Sequence, residues 1–169
     1  MAIKCSFYIN RYMQSFKQYL TEVKGKKLFI DVWHGTKKPF DLPFKETLQG
    51  KKGVGNDEGF AGKGFYFYAQ EKYVKDAVSE REGVKRKFKI ELKNAYPLDE
   101  DDVFSKDTDL PYVKYRDQET LRLLKEGYDG SYRTIGGKIE EVCVFSFKKK
   151  GFDGNKKIKT IKGEEWEKI

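Results

Sequence analysis

Hydrophobic positions change period several times along this chain. Met13, Phe16, Tyr19, Leu20 and Val23 recur at helical spacing, which predicts an amphipathic helix over about 11–23 that stops before Gly25. Leu28 to Trp33 is a short apolar run rich in β-formers and reads as a mostly buried strand. Prolines, glycines and charges from Gly35 to Lys63 read as a long surface loop, of the kind that carries function in a compact domain. Phe65 to Tyr68 forms an aromatic strand, and residues about 70–80 read as a helix. Val84, Phe88, Ile90 and Leu92 share parity against Lys85, Lys87, Lys89 and Glu91, the pattern of a half-buried strand. A helix centred on Thr120 to Lys125 is stopped by Gly127. Ile139 to Phe147 then reads as a central strand and Lys157 to Ile161 as a short edge strand. Several strands with two or three helices, and no regular βαβ alternation, predict an α+β fold.

The 169 residues suit a single domain, with an N-terminal helical segment over 1–27 and a core over 28–161. Charged residues make up 37% and aromatics 15%; the aromatic share argues against disorder despite the charge. Lys and Arg total 35 against 27 Asp and Glu, a net charge of +8 that favours acidic partners, nucleic acid and nucleotides among them. Residues 98–110 hold six acids and one lysine, so that segment carries −5 and the rest of the chain +13. It reads as a solvated loop or a shield over a basic cleft. No apolar run approaches the ~18–20 residues of a membrane span, and no signal-peptide pattern opens the chain. A cytoplasmic protein with no membrane partner is expected. Cys5 and Cys143 lie far apart and there is one histidine, so no zinc or other soft-ligand metal site is expected.

Three places offer chemistry. His34 stands in Trp33-His34-Gly35-Thr36, where the first strand breaks into a glycine-led loop; it either displays a binding group or caps a strand end. Gly62-Lys63-Gly64-Phe65-Tyr66-Phe67 is neither a P-loop nor a dinucleotide fingerprint. Its strand parity turns Phe65 and Phe67 to one face, suited to the core, and Tyr66 and Tyr68 to the other, where a planar ring could stack. Glu140-Glu141 leads into Val142-Cys143-Val144-Phe145. A carboxylate on so apolar a strand is costly to bury unless it is hydrogen-bonded or employed, and it suits positive charge developing at a sugar carbon. Parity puts the two glutamates on opposite faces, so one at most points into a given cleft. Cys143, mid-strand among apolar residues, reads as an inert buried thiol.

In this order the three motifs resemble the ADP-ribosyltransferase superfamily, in its histidine–tyrosine–glutamate branch of diphtheria-type toxins and poly(ADP-ribose) polymerases. The small domains of phage polyvalent proteins look similar in length, including the Gly127-Tyr128-Asp129-Gly130 turn. The resemblance runs from about Leu28 to Ile161. It implies two small, mainly antiparallel sheets split around an NAD-binding cleft with flanking helices. It also implies that NAD is a co-substrate, with no metal. On that analogy His34, Gly35 and Thr36 hold NAD, Tyr66 stacks on the nicotinamide, and Glu141 holds the ribose 2′-hydroxyl as the catalytic residue. The second stacking tyrosine of the polymerases falls on Ala77, so Tyr73, one turn earlier, is its expected substitute, with Tyr68 as the other option. Val142 replaces the usual aromatic, and Ile139 stands where arginine-modifying relatives carry an acid or Gln. The activity implied is mono-ADP-ribosyl transfer to a protein or nucleic acid, with NAD hydrolysis or a non-catalytic nucleotide- or nucleic-acid-binding module as alternatives.

Overall fold

The computed structural model describes residues 25–44, 62–78, 83–98, 112–146 and 152–169. The expected helix at 11–23, most of the 35–63 loop and all of the acidic 98–110 segment except Leu98 lie outside these residues. Seven strands and two helices are described: β1 (Lys26–Thr36), β2 (Gly64–Tyr68), α1 (Glu71–Val78), β3 (Val84–Leu98), α2 (Tyr112–Lys125), β4 (Gly130–Ile135), β5 (Lys138–Phe145), β6 (Ile158–Thr160) and β7 (Glu167–Lys168), with a 3-10 turn at Gly154–Lys157. The fold is α+β, built on a mixed sheet. Its strand order is β1-β2-β5-β4-β3-β6, with β7 also on β3. A β1–β3 ladder closes the path, and every pairing is antiparallel except β3–β4. The resemblance implies two separate sheets; one continuous sheet is found. Its weakest seam is between β1 and β2, joined through the pair Trp33↔Tyr68.

Alternation decides which residues line the inside of this closed sheet. Leu28 and Val32 of β1, Phe65 and Phe67 of β2, Phe88, Ile90, Leu92 and Ala95 of β3, and Val142 and Val144 of β5 form one buried cluster. On the outside, α2 lays Leu123 over Cys143 and Phe145. Thr120 fixes the near end of that helix: its hydroxyl accepts from the Lys63 N–H at 2.8 Å and donates to the Arg116 carbonyl at 2.8 Å. Gly64 has a packing reason to be glycine. A Cβ there would stand 2.1 Å from the Val144 carbonyl oxygen, so β2 and β5 could not approach.

Two irregularities shape the sheet. Lys26 pairs with Ala95 but Leu28 pairs with Leu92, so β3 carries one extra residue there, a bulge that switches its inward parity and bends it. Past this point β3 leaves β1 and pairs Ala95 to Leu98 with β4. The bulge's freed N–H groups meet the buried Asp129 carboxylate, which accepts from Lys93 at 2.9 Å and Asn94 at 3.1 Å. Lys157 Nζ balances that charge from 3.0 Å. The Gly127-Tyr128-Asp129-Gly130 turn is thus a clamp on β3. The second bulge is in β5: Arg133 pairs with Glu141 and Thr134 with Ile139, leaving Glu140 as the extra residue.

Asp129→Ala should destabilise the protein by about 2–4 kcal/mol, since two charge-assisted bonds are lost together. Asp129→Asn, which keeps one acceptor oxygen, should lose less. Urea unfolding of the three proteins checks this; equal stability would mean that the clamp is not needed.

Candidate functional site

Cross-strand partners on a pleated sheet point to the same face, so the register places the candidate residues without ambiguity. Lys87, Trp33, Tyr68, Glu141 and Arg133 form one row across β3, β1, β2, β5 and β4. Tyr66, Cys143 and Ser131 form the next. Both rows lie on the outside of the closed sheet. The structure therefore brings Tyr66, Tyr68 and Glu141 onto one surface, as parity predicts, with Phe65 and Phe67 buried behind them.

Glu141 is 9% exposed and its Oε2 is buried with no hydrogen-bond partner. Arg133 Nε faces it at 3.8 Å, within ion-pair range but too far for a hydrogen bond, and has no hydrogen-bond partner of its own. The guanidinium spends its Nη2 on Glu140 Oε2 at 2.8 Å. Burial raises the Glu141 carboxyl above its ordinary value; Arg133 works against this and Glu140 adds to it. The Tyr68 hydroxyl is likewise pushed up by burial, then by the two glutamates, so it stays protonated. Both glutamates reach Arg133, which corrects the expectation that strand parity keeps them apart. The bulge removes the alternation at that one step.

Tyr66 is half-buried, and its hydroxyl donates to the Gly62 carbonyl, which holds the ring in place. Its carbonyl accepts from His34 Nδ1 at 2.9 Å. A carbonyl oxygen only accepts, so Nδ1 carries the proton and Nε2 of the neutral ring keeps its lone pair. His34 itself faces the other way from Glu141. Phe44, Phe67, Phe40 and Phe88 surround it, their ring centroids 5.2, 5.6, 5.8 and 6.4 Å away. Asn155 fixes this cover by bonding both the N–H and the carbonyl of Phe44, and Trp166 Nε1 donates to the Phe40 carbonyl at 3.0 Å. Burial lowers the His34 pKa, with the bond to Tyr66 opposing.

Gly35 and Thr36 end β1 opposite Lys85 and Val84. Lys85 is buried between Glu71 of α1 and Glu167 of β7, and its ammonium lies 5.4 Å over the Trp33 ring. Tyr73 is half-buried on α1, with Lys72 Nζ 4.7 Å over its ring. The side chain of Ala77 lies outside the described residues. Sequence reading misses Arg133, because β4 itself goes unread; Gly136-Gly137 between Tyr132-Arg133-Thr134-Ile135 and Ile139 is a hairpin signal that finds it. Both glycines have positive φ, +55° and +74°, as a tight two-residue turn requires. Among the described residues, no group of three or more His, Cys, Asp or Glu could hold a metal ion. No described helix is long and apolar enough to cross a membrane. No family model, no curated protein and no solved structure matches the chain.

The half-buried His34, packed among phenylalanines, makes stability depend on pH. Its folded pKa lies below the ordinary 6.5, so below pH 6.5 the unfolded chain binds a proton that the folded one refuses. Stability should therefore fall as pH drops from 6.5 toward the depressed folded value, and His34→Gln should flatten that part of the curve. Melting temperatures across this range, wild type beside variant, check the sign.

Proposed function

We propose that this chain is an NAD-dependent mono-ADP-ribosyltransferase whose catalytic residue is Glu141. The observation that carries the reading is the buried Glu141 Oε2, which has no hydrogen-bond partner, in a row of aromatic and charged side chains. An orphaned buried carboxylate oxygen costs stability and calls for a ligand donor or a developing positive charge. The nicotinamide ribose supplies both. Its 2′-hydroxyl donates to Oε2, and as the C1′–N bond breaks its electron pair leaves with nicotinamide, placing positive charge at C1′ beside the carboxylate. An acceptor nucleophile then bonds to C1′ and releases its proton; with water as acceptor, the same residues give NAD hydrolysis.

The other residues take roles that fit their places. Tyr66 and Tyr68 offer ring faces to the nicotinamide from the same side as Glu141, and Tyr73 from α1 remains the second candidate for that stack. Gly35 and Thr36 offer backbone groups at the end of β1. His34 is assigned a positioning role, since its imidazole faces the phenylalanines: it ties β1 to the Tyr66 carbonyl at the seam of the sheet. The resemblance of Trp33-His34-Gly35-Thr36, Gly62-Lys63-Gly64-Phe65-Tyr66-Phe67 and Glu141-Val142-Cys143-Val144-Phe145 to the ADP-ribosyltransferase motifs adds to this reading. Val142, in the usual aromatic's place, points inward and is fully buried. A macromolecular acceptor, nucleic acid included, accords with the +8 charge, and a cytoplasmic setting is part of the proposal.

Nicotinamide release from NAD, with and without a bacterial lysate as acceptor source, tests this directly. Glu141→Gln should lower release by about 10²–10³-fold, the scale set by removing one transition-state electrostatic partner. It should also raise the melting temperature at neutral pH, because a buried ionised carboxylate is replaced by a neutral amide. That gain should shrink as pH falls through the raised folded value and vanish below 4.5, where the carboxyl is protonated in both states. Tyr66→Ala should weaken NAD binding by roughly 1–3 kcal/mol, read by calorimetry. Release untouched by Glu141→Gln would end the assignment, and no release from wild type would favour a binding module.

A further inference from the structure

Arg133 and Glu140 take no role in the proposed function above, yet they act on the electrostatics of Glu141. The bulge places three ionisable groups in contact: Arg133 bonds Glu140 at 2.8 Å through Nη2 and turns Nε to Glu141 at 3.8 Å. All three are mostly buried, with side-chain exposures of 24%, 16% and 11% for Arg133, Glu140 and Glu141. Two atoms are left over, Nε as a donor and Oε2 as an acceptor. A single hydroxyl seated beside them can serve both, donating to Oε2 and accepting from Nε–H with ordinary bond lengths of about 2.8 Å.

We propose that Arg133 is a positioning residue that completes a seat for one ligand hydroxyl, and that Glu140 is its anchor, holding the guanidinium back from a direct bond to Glu141. The inference rests on the transferase reading for the identity of that hydroxyl, a ribose alcohol, and on geometry alone for the triad. With the anchor in place, the guanidinium favours the ionised form of Glu141 against the effect of burial, without occupying its Oε2. Were the anchor lost, Arg133 would be free to close on Oε2 and fill the seat. Among the described residues, the titratable and charged groups that face Glu141 are Tyr68 from β2, Arg133 from β4 and Glu140 on its own strand.

The sign of the response to each substitution separates this arrangement from a merely structural one. Arg133→Gln removes the only cation of the triad and should move the Glu141 titration to higher pH. Glu140→Gln removes a like charge and frees Arg133, and should move it to lower pH. Arg133→Lys keeps the charge without the fork and should fall between wild type and Arg133→Gln, which keeps the test alive if Arg133→Gln does not fold. Side-chain carboxyl carbons of glutamate, followed by NMR against pH and assigned by the signal missing from Glu141→Gln, give these shifts without any substrate. The acid limb of nicotinamide release should move with them, while KM for NAD rises in Glu140→Gln as the seat fills. Shifts in the same direction for both neutral variants, or none, overturn the triad. Opposite NMR shifts in a protein that releases no nicotinamide would uphold the triad and overturn the transferase reading instead.

Discussion

The closed sheet depends on the carboxylate of Asp129. A strand of fifteen residues cannot turn from one neighbour to another without an interruption, and β3 makes the change at the bulge near Lys93 and Asn94. A bulge exposes backbone donors that a regular ladder would satisfy, and Asp129 accepts from both. Because Asp129 opens the segment that becomes β4, one side chain bends β3 and delivers β4 to its far end. Without that delivery Arg133 would not stand across from Glu141.

The second bulge has the opposite character. The first has its two freed N–H groups satisfied by Asp129, whereas the one at Glu140 leaves Arg133 Nε and Glu141 Oε2 without hydrogen bonds in a buried setting. Stable cores avoid such atoms, and where they persist a ligand is the natural partner. The same local device, one extra residue in a strand, thus serves closure at one point and, in the function proposed, chemistry at another. Around it the aromatic strand β2 divides its labour by parity, with phenylalanines inward and tyrosines outward.

Much of this was legible in the residues. The alternation of Phe88 to Leu92, the outward tyrosines of Phe65 to Tyr68 and the buried strand around Val142 all follow from period-two burial, and the structure agrees with them; at the start of β3 it does not, since Lys85 is buried between two glutamates and Val84 is only half-buried. Both bulges were hidden, because an extra residue in a ladder is defined by the partner strand and leaves no local signature. That is why Glu140 and Glu141 read as facing apart and why β3 read as ending at Leu92 when it runs to Leu98. The direction of His34 was also hidden: the pattern Leu28, Ile30, Val32, His34 continues the inward parity, but the phenylalanines that receive the ring come from distant segments. Trp33, one residue earlier, takes the outward place in the row with Tyr68 and Glu141.

The proposed function requires a dinucleotide to bind on the outer face of the sheet, against the row of Tyr68 and Glu141. A crystal structure of Glu141→Gln grown with NAD addresses this most directly. The account predicts the nicotinamide ribose against residue 141 and Arg133, with the nicotinamide ring on the tyrosines of β2. A dinucleotide lodged instead among Phe40, Phe44 and His34, with the Glu141 row empty, would contradict it.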